Sequence, residues 1–175
     1  MRPLRFAQGD TNSNPLSHEA QELAVTLEAE GRKTEEFFRG LQPQEWDVQV
    51  YADGPAWKVH NLLAHFTDVE GSIPRLMRSI LKGGAGVEPG FDIDAWNAEH
   101  TGEMSRQDRE ALLAEFSRRR AATVELVRAM SAADLERRGR HPFLGDTEIK
   151  HMVRLMYIHL QGHQRDIRRV LKKQG

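Results

Sequence analysis

The chain has 175 residues, enough for one compact domain with a sizeable buried core. Lys plus Arg number 25 and Asp plus Glu 26, so the net charge of −1 gives no global bias toward nucleic acid or an anionic membrane. With no cysteine, disulfides, protein thiolate nucleophiles and Cys-based metal sites are excluded, which leaves His, Asp and Glu for metal or acid–base chemistry.

Residues 1–14 are polar and read as an arm or loop; the domain proper begins near 17. The opening MRPLRFAQGDTNSNP lacks an apolar signal core, and no stretch approaches a membrane span, so we expect a cytoplasmic protein. From Ser17 the pattern turns helical. Leu23, Leu27, Phe37, Phe38 and Leu41 share a broad face, and Gly40 and Pro43 close a first helix over 17–41. A loop with Trp46, Tyr51 and the turn signal Asp53-Gly54-Pro55 follows. A second helix is predicted over 56–82, with Val59, Leu62, Leu63, Phe66, Val69 and Ile73 as its stripe. Pro74 should kink or break it.

The run Gly83-Gly84-Ala85-Gly86 opens a long connection over 83–104. Ser105 is a candidate N-cap for a third helix ending near Met130, and Ser131 to Asp134 resembles a short helical start. Residues 137–146 read as loop, and a last helix is expected over 147–173. No run alternates as a strand would. The predicted fold is all-α: a four-helix bundle with a long connection between its second and third helices, an architecture that builds metal sites in its core.

The eight histidines can be sorted on a helical wheel. In YIHLQGHQRDI, residues 157–167, His163 lies about 30° from the centre of the apolar stripe and His159 about 70°. His151, about 150° away, should face solvent. On the second helix His65 sits on the shoulder of the stripe, about 90° from its centre, with His60 farther round at roughly 130°. His18, His100 and His141 receive no role. Side chains at i and i+4 stack on one face, so His159 and His163 can point at one atom. A buried imidazole needs partners for both ring nitrogens, and a metal can serve one of them. On spacing alone, the pair reads either as metal ligands or as satisfied core histidines. A zincin is excluded, because Leu160 stands where that motif needs Glu.

Three stretches in order carry a resemblance. WKVHNLLAHF (57–66), FDIDAWN (91–97) and HLQGH (159–163) resemble the motifs of the DinB/YfiT-like superfamily over about residues 17–173. The resemblance implies a four-helix bundle with a divalent metal on His65, His159 and His163. It also implies kinship with thiol-dependent S-transferases and isomerases that use mycothiol, bacillithiol or glutathione, and a homodimer.

Several neighbours have two readings. Asp68 and Asp166, each three residues after a histidine of the set, either orient an imidazole or are solvated carboxylates. Asn97 either reaches the site mouth or caps backbone. Trp57 and Trp96 either line a pocket or pack on loops. The basic cluster Arg165, Arg168, Arg169, Lys172 and Lys173 is a solvated face or an anion site.

Three functions follow as expectations. The first is a metal-dependent thiol transferase or isomerase acting on small electrophiles, with Zn²⁺ or Ni²⁺, which imidazole ligands suit. The second is a metal-dependent hydrolase. The third is a non-catalytic, stress-linked metal-binding or interaction protein. The partners expected are a small-molecule substrate and a low-molecular-weight thiol, with neither nucleic acid nor membrane.

Overall fold

The computed structural model describes residues 17–52 and 56–173; the expected N-terminal arm lies outside them. Four long helices form the frame: α1 (His18–Arg39), α2 (Val59–Leu81), α4 (Arg109–Arg128) and α6 (Ile149–Leu171). Shorter elements lie between them: a 3-10 turn (Pro43–Asp47), α3 (Ile93–Met104), α5 (Ala132–Leu135) and a hairpin of β1 (Arg138–His141) and β2 (Gly145–Glu148). None of the described helices is long and apolar enough to cross a membrane.

Helix ends follow local chemistry. The Ser17 hydroxyl accepts from Ala20 N–H at 3.4 Å to cap α1. Ser131 and Asp134 form a reciprocal capping box at α5. The expected start of the third long helix at Ser105 is corrected. Asp108 caps it instead, accepting from Ala111 N–H at 2.8 Å, while Ser105 ends α3 and donates its hydroxyl to Thr101 O.

The connection predicted over 83–104 is not all loop, because its second half is α3. Asp92 accepts from the N–H groups of Asp94 and Ala95 and so nucleates the first turn. Nor is 137–146 a plain loop. Residues 138–141 pair antiparallel with 145–148, Arg138 opposite Glu148. Strands of four residues are too short to show alternation in a sequence. Helix α2 does not break at Pro74. The buried proline sits inside a continuous helix, held by packing on α4 and α6.

Around the bundle the order is α1, α4, α2, α6. Helix α1 packs on α4 and α6, and so does α2, which leaves α1 and α2 across a diagonal. This order makes α2 and α6 neighbours along their length. Two apolar clusters fill the interior. One holds Leu23, Leu27, Met77, Val127 and Met152; the other holds Phe38, Leu62, Phe66, Phe116 and Leu160.

Between them lies a polar layer. Arg120 donates to both Glu70 oxygens, at 2.6 and 2.8 Å, and to Leu27 O at 2.9 Å. Gln164 donates to Thr34 Oγ1 at 2.8 Å. Gly31 makes room for this layer, since a Cβ there would stand 2.8 Å from Arg120 Cγ. The pair is bidentate and fully partnered, the condition under which a buried ion pair is tolerated.

Candidate metal centre

The α2–α6 seam carries the three histidines selected on the wheel. His65 comes from α2, and His159 and His163 from successive turns of α6. His65 Nε2 lies 3.4 Å from His159 Nε2, which lies 2.7 Å from His163 Nε2. One potential ligand atom from each residue falls within 4.8 Å of the others. His65 is buried, and the other two are half-buried. His60 turns away to Ser105 O at 3.1 Å, and His151 is exposed, as the wheel placed them.

Hydrogen bonding fixes the protons. The Tyr51 hydroxyl lies 2.8 Å from Asp166 Oδ2 and 2.6 Å from His163 Nδ1. A carboxylate only accepts, so the single Tyr51 proton goes to Asp166. The phenol oxygen then accepts from His163 Nδ1–H, which leaves His163 Nε2 with a bare lone pair facing its neighbours.

Burial lowers the pKa of all three imidazoles. His159 falls to about 3, with His163 and His141 adding to the effect. His65 falls well below its usual value. At His163, burial also lowers it, against an opposing pull from Asp166. All three are therefore neutral near pH 7 and able to donate lone pairs.

The satisfied-core reading fits poorly at His65. Its Nδ1 is sealed and has no partner among the described residues, and its Nε2 faces only other imidazoles. That orphaned Nδ1 costs on the order of 1–3 kcal/mol whether or not a metal sits on Nε2, so the crowding at Nε2 is what bears on the choice. Imidazole nitrogens 2.7 and 3.4 Å apart cannot all share protons with one another. A cation among them resolves the repulsion, so the donor set fits a divalent metal.

The cluster borders a cavity of about 1010 Å³. Trp57, 4.8 Å from the His65 ring between centroids, is both core and wall. Trp96 also lines the cavity, stacked on His100 at 3.6 Å. Asn97 is on the wall too. Asp166 takes its place beside His163 through Tyr51. Asp68 is buried but makes no hydrogen bond to a histidine among the described residues. The basic cluster of α6 is a solvated face: none of Arg165, Arg168, Arg169, Lys172 or Lys173 lines the cavity.

Two site residues carried no usable signal in the sequence. Tyr51 sits in a loop whose ends are tied by Val50 N–H and Tyr51 N–H to Trp57 O, and by Val59 N–H to Val48 O. His141 ends β1 and is buried against the same cavity.

A family model described as the DinB superfamily matches residues 26–167. The chain belongs to the DinB superfamily. Comparison with curated proteins returns no match. Among solved structures, YfiT from Bacillus subtilis, described as a probable metal-dependent hydrolase with an unusual four-helix bundle topology, is similar at TM-score 0.72 and 18% identity, over 97% of this chain and 94% of that one. A mycothiol-dependent maleylpyruvate isomerase is similar at TM-score 0.66 and 14% identity, over 85% of this chain but only 59% of its own. The colibactin self-resistance protein ClbS, solved with a dsDNA, is similar at TM-score 0.64 and 16% identity, over 87% and 95%. At these identities the likeness is one of fold.

Proposed function

We propose that the chain is a metal-dependent enzyme in which His65, His159 and His163 hold one divalent cation, Zn²⁺ or Ni²⁺. Its co-substrate would be a small thiol of the mycothiol, bacillithiol or glutathione kind, used to transfer to, or isomerise, a small electrophile. The observation that carries this reading is the convergence of three Nε2 atoms on the wall of a large, mostly apolar cavity. Three protein ligands leave a position open to an exogenous group. A bound divalent cation there supplies the positive charge that keeps a thiol in its reactive thiolate form.

The chain's own residues do the rest. Tyr51 and Asp166 hold His163 with its lone pair inward. Trp57 fixes the plane of His65. The mostly apolar walls offer few partners to water beside the reacting pair. The cavity stands at the upper end of the roughly 300–1,000 Å³ usual for one ligand, which suits a thiol together with its acceptor. The chain has no cysteine, so a thiol nucleophile must come from a second molecule. Among the described residues Arg75 is the one lysine or arginine on the wall, which favours a small apolar substrate over a nucleic acid.

YfiT, described as a probable metal-dependent hydrolase, raises a hydrolytic reading at the same site. Hydrolysis needs a base to activate water, and of the two described carboxylates on the wall Asp166 is already committed to Tyr51 and Arg169 and Asp94 is exposed on α3. We therefore place it second.

The test starts with elemental analysis of untagged protein beside His65→Ala and His163→Ala. About one transition-metal ion per chain, lost in both variants, is expected. Conjugation of 1-chloro-2,4-dinitrobenzene is then assayed with each of the three thiols, and cleavage of p-nitrophenyl acetate without any. Metal-dependent conjugation supports the thiol reading; metal-dependent cleavage without thiol replaces it with the hydrolase. No metal uptake overturns both.

A further inference from the structure

His141 takes no part in the centre described above. It ends β1, is 4% exposed, and borders the cavity that the three histidines share. Its Nδ1 accepts from the backbone N–H of Phe143 at 3.1 Å and of Leu144 at 3.2 Å. Both donors belong to the turn between β1 and β2. A nitrogen that accepts two N–H groups carries no proton of its own, so the ring proton is on Nε2.

That Nε2–H has no partner among the described residues. With Nδ1 held on the turn, the opposite edge of the ring is the one left to meet the cavity that His141 borders. Burial lowers its pKa to about 4, so the ring stays neutral with a single proton near pH 7. The hairpin thus presents one N–H donor, in a fixed tautomer, from a wall outside the four-helix frame.

The surroundings define what that donor can meet. Val69, Ile73, Leu76, Phe143 and Leu155 make the lining mostly apolar. An apolar ligand without an acceptor would strip water from the N–H and leave it unmet. A ligand with an acceptor at that point keeps the bond, and the difference is a specificity.

We propose that His141 is a substrate-binding residue whose Nε2–H receives a carbonyl or carboxylate oxygen of an otherwise apolar small molecule. This names the class of electrophile for the cavity assigned above and rests on that assignment.

The probes are trans-cinnamate and its hydrocarbon counterpart β-methylstyrene, titrated into full-length protein stripped of metal by chelation so that a carboxylate cannot bind through a cation. Cinnamate should bind about tenfold tighter than the hydrocarbon. His141→Phe should lose about that factor for cinnamate and nothing for the hydrocarbon, while His141→Gln, which can still donate, keeps most of it. Long-range ¹H–¹⁵N spectra of the wild type should show His141 as the Nε2–H tautomer, with Nε2 shifting on cinnamate addition.

An Nδ1–H tautomer, no cinnamate binding at millimolar concentration, or equal binding by His141→Phe would overturn the inference. Zinc uptake measured on the same proteins keeps the two proposals apart. His141-dependent cinnamate binding without zinc uptake sinks the metal centre alone. Zinc uptake with His141-independent binding sinks this inference alone.

Discussion

The Tyr51 hydroxyl lies 2.6 Å from His163 Nδ1, although 112 positions separate the two residues in the chain. The contact passes the ring's outer proton to an oxygen that Asp166 has already polarised. Partners of this kind fix a ligand histidine's tautomer and raise its basicity. Burial and Asp166 both push the Tyr51 pKa upward, so the phenol stays protonated and the relay does not titrate near neutrality. Tyr51→Phe keeps the ring that packs edge-on against His163 and removes only the acceptor. Zinc affinity, measured by competition with a chelator, should fall about 10–100-fold. Unchanged affinity would mean that Asp166 reaches the ring without the tyrosine.

Acid should destabilise the metal-stripped protein. Burial holds His159 near 3 and His141 near 4, and it depresses His65 and His163 as well. Unfolded histidines titrate near about 6.5, so below that value the unfolded chain binds more protons than the folded one. The stabilising contribution is whole above about pH 6.5 and is lost as pH falls toward the folded values. Urea titrations between about pH 7 and pH 4 should show a slope steeper than about 1.4 kcal/mol per pH unit, because more than one histidine contributes. A flat profile would mean that the imidazoles are hydrated in solution.

Breaking the buried Arg120–Glu70 pair from one side should be far more harmful than removing both members. The two side chains are 4% and 0% exposed. Glu70→Gln leaves the guanidinium without its counter-charge and should cost about 3–5 kcal/mol in urea unfolding. A Glu70→Leu, Arg120→Met double variant should recover most of that loss. Additive losses would show that the pair adds net stability beyond its packing.

Gly86 is the point where the connection meets the hairpin. Its φ is +96°, and a Cβ would lie 2.2 Å from Arg140 N. Around it Arg140 N–H donates to Ala85 O at 2.8 Å, and Val87 N–H to Arg140 O at 2.9 Å. Gly86→Ala should therefore cost roughly 2 kcal/mol or more. Amide hydrogen exchange should speed up first at Val87 and Arg140. Wild-type protection at both amides would show that the strand-like contact is dispensable.

The frame was legible because long helices announce themselves. Leu62, Leu63 and Phe66, or Met152, Met156 and Leu160, repeat at helical spacing, and Gly83 and Pro43 mark the ends. His163 was legible for the same reason, as a polar side chain near the centre of an apolar stripe; His159 follows from its i,i+4 spacing, and His65, on the shoulder of its stripe, leaned on the family resemblance. Helix α3 was missed because its apolar residues, Ile93, Trp96 and Met104, follow no steady period, and its start depends on one Asp92 cap. Ser105 misled because a serine can close one helix as readily as open the next. Tyr51 and His141 reach the cavity through a loop and a four-residue strand, where no periodicity exists to read and only tertiary placement assigns a direction. Spacing named Asp68 and Asp166 alike; among the described residues only Asp166 links to a histidine of the set, through a tyrosine that spacing could not show.

The histidine centre and one side of the cavity wall belong to different parts of the molecule. His65, His159 and His163 ride on α2 and α6, whose position the whole interior depends on. Phe91, Trp96, Asn97 and His141 ride on the 83–104 connection and the hairpin, which are appended to one side. Substitutions in these appendages can therefore accumulate without disturbing the helices that position the histidines. In evolutionary terms, the placement of the three histidines is locked into the scaffold, while the outer side of the cavity is left free to drift.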